Sequence, residues 1–363
     1  MTGPLRQTGS LRDLSPKKPI RILVAEDSAT IRHYLVTLLG ETPGLEVVGQ
    51  ARDGEEALQL TRELKPDVVS MDINMPRLDG FEATRRIMSE SPTPVVVVSG
   101  LVEKDIDLSF QALEAGALAV VEKPPDRRNP AFEEKQLHLV KTLVAMAGVK
   151  VVRRGAYVAP KGAHPVVELP VVDNLRPEVV VIGASAGGPS ALSQLLGELP
   201  ADFPLPVVIA QHIPQEFVNG LARWLDKNTA LSVEIAKDGV TLQPGVVHLS
   251  PGAAHVKVER QGDLLALRLV SERGGQRYQP SIDVLFGSVA EVCGKQAIGV
   301  LLTGMGEDGA DGLLRMRQMG ARTLAQDKSS STVFGMPAAA IERQAVEQVK
   351  SLAELPSAIL KLL

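Results

Sequence analysis

Residues 20–39, IRILVAEDSATIRHYLVTLL, set the pattern on which the fold is read. Ile20–Glu26 is a short run rich in isoleucine, leucine and valine, and it ends on two acids, Glu26 and Asp27. The period then changes. In Thr30–Leu39 the apolar side chains Leu35, Leu38 and Leu39 recur three and four apart, as on one face of a helix. A strand therefore runs directly into a helix, and the alternation repeats. Glu46–Gln50, Val68–Asp72, Pro94–Ser99 and Ala119–Glu122 read as strands, with helical spacing in Glu55–Leu64, Phe81–Met88 and Ile106–Ala115 and a last helix over Phe132–Met146. Near-continuous apolar strands joined by helices predict an α/β fold with a parallel sheet covered on both faces.

Gly148–Pro177 loses this alternation and carries Pro160, Pro165, Pro170 and Pro177, which predicts a surface linker. A second α/β unit follows. Its expected strands are Val179–Ile182, Leu205–Ala210, Val246–Leu249, Leu264–Val270, Ala297–Leu302 and Arg322–Ala325. Its expected helices are Pro189–Leu196, Glu216–Asp226, Ile282–Cys293, Gly309–Met319 and Ala338–Val349. Gln243–Val256, with Pro244-Gly245 and Pro251-Gly252, is expected to form a hairpin inserted into a doubly wound, mainly parallel sheet. The predicted organisation is a flexible tail at 1–19, a first domain at 20–146, a linker at 147–177 and a second domain at 178–363.

Composition excludes several classes. The 363 residues carry 39 basic and 43 acidic side chains, a net charge of −4 that offers no chain-wide surface for nucleic acid or anionic lipid. Aromatics make up 3%, too few for stacking platforms. No basic recognition helix with a helix-turn-helix pattern is evident in the second half, so no nucleic-acid partner is expected. The single cysteine, Cys293, excludes an intrachain disulfide framework and fits a reducing cytoplasm. The basic start lacks the apolar core of a secretory signal. Val179–Gly197 is uncharged over membrane length, yet Gly183, Gly187, Gly188 and Pro189 break it, so no membrane insertion is expected.

Ligands of open parallel sheets lie beyond the carboxyl ends of the strands. There the first unit places Glu26, Asp27, Asp72, Ser99 and Lys123. Taken singly these are ordinary loop ends, and Asp27 and Ser28 would cap the following helix. Together, three converging carboxylates call for a hard cation, for which Mg²⁺ is suited. A carboxylate beside Mg²⁺ and a lysine can accept a phosphoryl group, and a hydroxyl at Ser99 could hydrogen-bond it. The residues Glu26-Asp27-Ser28, MDINMP at 71–76 with Asp79-Gly80, Ser99-Gly100 and Glu122-Lys123-Pro124 resemble the receiver domains of bacterial response regulators over about residues 20–145. The resemblance implies a flavodoxin-like (βα)₅ sheet, Asp72 phosphorylated by a chemotaxis-type histidine kinase, Mg²⁺ on Glu26, Asp27 and Asp72, and Ser99 and Lys123 as switch residues. Glu26 stands where many receivers have Asp, and the fifth strand offers no switch aromatic.

The second unit carries Gly183-Ala-Ser185-Ala-Gly187-Gly188 between a strand and a helix. Three readings compete: an exposed serine nucleophile on a tight turn, a phosphate-binding turn, or a plain turn with a serine near the helix cap. The next strand ends in Gln211-His212, an imidazole where a dinucleotide site would want an acid. A third piece, TGMGEDGADG at 303–312, is glycine-dense and holds Glu307, Asp308 and Asp311. One of these acids could orient His212, with main-chain N–H groups of the loop as oxyanion donors, or Asp308 or Asp311 could cap the next helix.

GASAGGPSAL, QHIP at 211–214, PGVVHLSPGAAHV, PSIDVLFGSVA, TGMGEDGADGL and AQDKSSSTVFGMP resemble the catalytic domain of the CheB family, the protein-glutamate methylesterases of bacterial chemotaxis. The match covers about residues 178–350. It implies Ser185 as nucleophile, His212 as general base, Asp308 as its orienting acid and the Met305 N–H as an oxyanion donor. It further implies demethylation, and deamidation of specific glutamines, on the cytoplasmic helices of methyl-accepting chemoreceptors. In that family the receiver is expected to cover the cleft until Asp72 is phosphorylated. Three positions depart from the family pattern: Ala186 replaces a Thr or Ser, Lys328 a Glu and Gln344 a Gly. His248 and His255 are expected to be structural, and Cys293 a small core residue.

Overall fold

A computed structural model of the chain describes residues 18–100, 110–149, 151, 176–271 and 279–363. Most of the expected tail and linker lies outside the described residues. The chain divides into two compact units, Met1–Val158 and Ala159–Leu363.

In the first unit, β1 (Ile20–Ala25), β2 (Leu45–Ala51), β3 (Val68–Met71), β4 (Val95–Ser99) and β5 (Ala119–Glu122) form one sheet in the order β2-β1-β3-β4-β5. All neighbours are parallel. Every residue of β3 and β4 is buried, as strands covered on both faces require. The strand order reverses direction between β1 and β3, which sets their carboxyl ends side by side. Helices α1 (Ala29–Gly40), α2 (Gly54–Leu64) and α3 (Gly80–Glu90) start where a short polar side chain satisfies an orphan N–H. Ser28 accepts from Ile31, Asp53 from Glu56 and Asp79 from Glu82. The cap of α1 is thus Ser28, which leaves Asp27 available to a ligand. Residues 110–114 are helical, and the start of that expected helix at Ile106 lies outside the described residues. The last helix, α4 (Phe132–Ala147), packs against β5.

The second unit has a seven-stranded sheet whose order is β14 (Gln348–Lys350), β13 (Arg322–Gln326), β12 (Ala297–Leu301), β6 (Val179–Ala184), β7 (Val207–Gln211), β9 (Val246–Leu249) and β8 (Ser232–Ile235), with every neighbour parallel. Its centre is β12 (Ala297–Leu301), β6 (Val179–Ala184) and β7 (Val207–Gln211), each buried along its length. The uncharged run at 179–197 therefore splits into β6 and α5 (Gly188–Gly197). Among the described residues no helix is long and apolar enough to cross a membrane. The remaining helices include α6 (Gln215–Asn228), α7 (Ile282–Cys293) and α8 (Ala310–Gln318).

Two expectations need correction. The inserted hairpin is β10 (His255–Gln261) with β11 (Leu264–Val270), antiparallel from His255↔Val270 to Gln261↔Leu264. Gln243–Val256 is not that hairpin: it contains β9 (Val246–Leu249), a parallel member of the main sheet between β7 and β8 (Ser232–Ile235). The expected helix Ala338–Val349 is also broken. The helix α9 (Met336–Glu342) stops, and the chain re-enters the sheet as β14 (Gln348–Lys350) beside β13 (Arg322–Gln326). Between them Gln344 has φ +57°, the left-handed region that costs an L-residue about 1–2 kcal/mol. This is the position where the resemblance expects glycine. Gln344→Gly should raise the unfolding free energy by about 0.5–1 kcal/mol, the strain relief reduced by the greater freedom of the unfolded glycine. A higher denaturant midpoint at unchanged slope would show it, and an unchanged or lower midpoint would refute it.

Candidate active site

In the first unit the strand ends bring three acids together. One carboxylate oxygen each from Glu26, Asp27 and Asp72 lies within 4.8 Å of the others, with Glu26 and Asp72 buried and Asp27 exposed. Lys123 Nζ sits 2.7 Å from Asp72 Oδ1 and 2.8 Å from Glu26 Oε2, the latter an ion pair rather than an aligned hydrogen bond. Burial raises the Glu26 carboxyl above its usual range, Asp72's charge adds to the rise, and Lys123 opposes it. Asp72 is likewise raised by burial against the pull of Lys123. Burial would lower Lys123, but its close contacts with the charged carboxylates of Asp72 and Glu26 outweigh it and leave the ammonium raised. Two buried acids held against one another are what a hard, oxygen-seeking cation relieves, so this donor set fits Mg²⁺. The longer Glu26 side chain still reaches the cluster. Ser99, buried at the end of β4, accepts the Lys123 N–H on its carbonyl at 3.0 Å. Tyr34 donates its hydroxyl to Pro125 O at 2.7 Å, tying α1 to the loop after Lys123.

The second site is built at the ends of three adjacent strands, β12, β6 and β7. Ser185 follows β6, and its N–H donates to Thr303 O beyond β12 at 3.0 Å. His212 follows β7, and its N–H donates to Ala184 O at 3.0 Å. Gln211 Nε2 donates to both Ser185 O and His212 O at 2.9 Å, locking the two strand ends together. The glycines of the turn serve close packing. A Cβ on Gly188 would come within 2.1 Å of Gln211 Oε1, and one on Gly187 (φ +77°) within 2.5 Å of Thr332. The approach that a phosphate-binding turn would offer a ligand is thus filled by the chain's own side chains. The helix cap is Gly187, so Ser185 is not the capping residue.

His212 Nε2 lies 2.8 Å from Asp308 Oδ2. The other two acids of the loop turn away: Glu307 and Asp311 are exposed and pair with Arg343, at 2.6 and 3.1 Å. Asp308 is buried and does not cap its own helix, whose cap is Gly309. Instead it receives the start of α7: Ser281 Oγ at 3.0 Å and Asp283 N at 3.1 Å on Oδ1, and Ile282 N at 2.8 Å on Oδ2. Burial would raise Asp308, but the His212 bond and charge and the α7 amides hold it below the ordinary carboxylate range. It is therefore an anion at neutral pH. Neighbouring Asp283 is pushed up to about 7, chiefly by burial and despite a hydrogen bond from Gly312, with Asp308's charge adding to the rise. The Met305 position is set by Gly304, whose carbonyl accepts from Gly335 and Met336 at 3.0 and 2.9 Å. A Cβ on Gly304 would come within 2.8 Å of Ser185 Cβ, so this loop lies directly against the serine.

The profile of the CheB methylesterase family matches residues 180–359, and that of the response regulator receiver domain matches 22–129. Protein-glutamate methylesterase/protein-glutamine glutaminase 4 of Myxococcus xanthus (strain DK1622) is 48% identical over 340 residues, spanning 93% of this chain and 96% of that protein. The chain belongs to the CheB methylesterase family. The protein of the same kind from Nitrosospira multiformis is 41% identical over 348 residues, covering 94% of this chain and 97% of its own. The crystal structure of the Thermotoga maritima CheB methylesterase catalytic domain superposes with a TM-score of 0.50 at 34% identity. It covers 52% of this chain and 99% of that one. The chain is thus an enzyme of the CheB family, an α/β methylesterase domain behind a response-regulator receiver.

At Ala186, one of the positions that depart from the family pattern, the main-chain carbonyl is held by Thr303. Its hydroxyl donates to Ala186 O at 2.9 Å and accepts from Val333 N at 2.9 Å, pinning the turn after Ser185 to the 326–335 loop. Sequence reasoning missed Thr303, Ser281 and the bridging role of Gln211. Each works through a partner 26 or more residues away, which no local spacing reveals. His248 and Cys293 are buried. Burial lowers the His248 pKa and pushes the Cys293 thiol up to about 11.

Proposed function

We propose that this chain hydrolyses glutamyl methyl esters on the cytoplasmic helices of chemoreceptors, and deamidates specific glutamines there, with Ser185 as nucleophile and phosphorylation of Asp72 as the activating signal. The observation that carries the reading is the 2.8 Å His212–Asp308 contact at the strand end next to Ser185. Asp308 takes the Nε2–H of the neutral ring, so the lone pair that accepts the serine proton is on Nδ1. Ser185 Oγ attacks the ester carbonyl, and the resulting oxyanion is held by main-chain donors, Met305 N–H among them. His212 returns the proton to the departing methoxide, releasing methanol; from an amide the leaving group is ammonia. His212 then deprotonates a water that attacks the acyl-enzyme, and glutamate and free Ser185 result. Asp308 stabilises the imidazolium in both halves.

In the receiver, Glu26, Asp27 and Asp72 would hold Mg²⁺, which when bound offsets charge on the transferring phosphoryl oxygens. Lys123 offsets the same charge from the protein side, and Ser99 donates to the phosphoryl group. A chemotaxis histidine kinase is the phosphodonor, and the chain acts in the cytoplasm.

The test is methanol release from a methylated chemoreceptor cytoplasmic fragment, with and without a small phosphodonor plus Mg²⁺. Release that rises with phosphodonor and vanishes in Ser185→Ala is the expected result. Release independent of phosphodonor would refute the activation, and release retained by Ser185→Ala would refute the nucleophile.

A further inference from the structure

The acid of the hydrolytic centre is held almost entirely by one turn. Among the described residues, Asp308's hydrogen-bond donors other than His212 are consecutive: Ser281, Ile282 and Asp283. Whatever places that turn places Asp308, and with it the ring of His212. Ser281 is the cap of α7, and its side chain accepts from Val284 N at 3.4 Å. A capping residue's own N–H has no partner within its helix. Here the Ser281 N–H is buried and donates to His255 Nδ1 at 3.0 Å. His255, the first residue of β10, is 1% exposed. A second tie joins the same two segments, Gln279 Nε2 to Ala253 O at 2.6 Å.

We propose that His255 is a positioning residue for hydrolysis: as a neutral imidazole it fixes Ser281, and through Ser281 the carboxylate of Asp308 that holds His212. The proposal deepens the serine-hydrolase reading and rests on it. A main-chain N–H cannot reverse its polarity, so Nδ1 carries the lone pair and the ring proton is on Nε2. Without that acceptor a buried N–H is left unpaired, at a cost large enough to shift the turn. The displacement passes directly to Asp308, because the same residue gives both its N–H to His255 and its Oγ to the acid. Reacting groups misplaced by about 1 Å lose on the order of a hundredfold in rate, so a small shift here reads out as kcat.

The discriminating variants are His255→Asn and His255→Gln in the full chain. The Asn amide oxygen falls near the Nδ1 position and can accept from Ser281, whereas the longer Gln side chain carries its amide out to the Nε2 position. Methanol release should give a kcat within about threefold of the parent for His255→Asn and about tenfold to a hundredfold lower for His255→Gln, with KM unchanged in both. The ring N–H proton of His212, observed in ¹⁵N-histidine-labelled protein and assigned by its loss in His212→Gln, should persist in the Asn variant. In the Gln variant it should shift or broaden. Ser281→Ala keeps the N–H that His255 receives but removes the donor to Asp308, and should reproduce the kcat loss even if His255→Gln fails to fold. Equal losses in folded Asn and Gln variants, or full kcat and an unchanged resonance in His255→Gln or Ser281→Ala, would overturn the proposal. If the parent chain releases no methanol, the hydrolase reading fails, and the His212 resonance still decides the role of His255.

Discussion

Asp308→Asn is expected to lower kcat for ester hydrolysis by about 10³- to 10⁴-fold with little change in KM. Two effects add. The amide has no charge to set against the imidazolium that the proposed mechanism forms on His212. It also cannot replace the carboxylate as an acceptor on both sides. Oδ1 faces the Asp283 amide and Oδ2 the Ile282 amide, so either rotamer of Asn turns an NH₂ group against a backbone N–H. The turn before α7 would then open, and in the rotamer that places NH₂ at the Oδ2 position His212 would also lose its acceptor. Steady-state methanol release on protein checked for folding by circular dichroism measures the effect. A loss below about tenfold would mean that Asp308 does not serve the base. Arg343→Ala is the natural contrast, since it frees only the exposed Glu307 and Asp311.

Asp72→Asn should remove the response to phosphodonor altogether, so that the ratio of stimulated to basal methanol release falls to about one. The amide is not a nucleophile toward phosphorus, and it replaces one of the three anionic oxygen ligands of the proposed cation site by a neutral, weaker one. Mg²⁺ affinity, followed by titration calorimetry, should fall in the same variant. The sign with pH follows from the raised pKa values of Glu26 and Asp72. Both acids take up protons at higher pH than ordinary carboxylates, so Mg²⁺ binding to the parent should weaken early as pH is lowered. Persistent stimulation in Asp72→Asn would place the phosphoryl acceptor elsewhere.

Much of the architecture was legible because its signals are local. Short apolar runs and period-3.6 patterning mark the strands and helices of the first unit, and caps such as Asp53 and Asp79 act on amides three residues ahead. The misplaced hairpin has a non-local cause. Leu264–Val270 is an apolar run that looks the same whether it pairs with β10 or joins the large sheet, and pairing choice depends on partners the run does not encode. Ser232–Ile235 and Gln348–Lys350 escaped notice because they are short and partly exposed at the two edges of the sheet. The end of α9 escaped it because glutamine at 344 is no stop signal, although the backbone there turns left-handed.

The candidate site divides along the same line. The sequence by itself determined which residue types stand at the strand ends: the acids and lysine of the first unit, and Ser185, His212 and the acidic loop of the second. Strand ends follow from patterning, and in a parallel sheet they converge on one edge. Among Glu307, Asp308 and Asp311 the spacing alone left the choice open and the family resemblance pointed to Asp308; only the tertiary structure supplies the physical reason, with Arg343 drawing two of them outward and the start of α7 drawing the third inward. It alone gave His255 a partner 26 residues away. Hydrogen bonds between distant segments are set by how elements pack, and no spacing along one chain encodes which buried amide a buried ring nitrogen will meet.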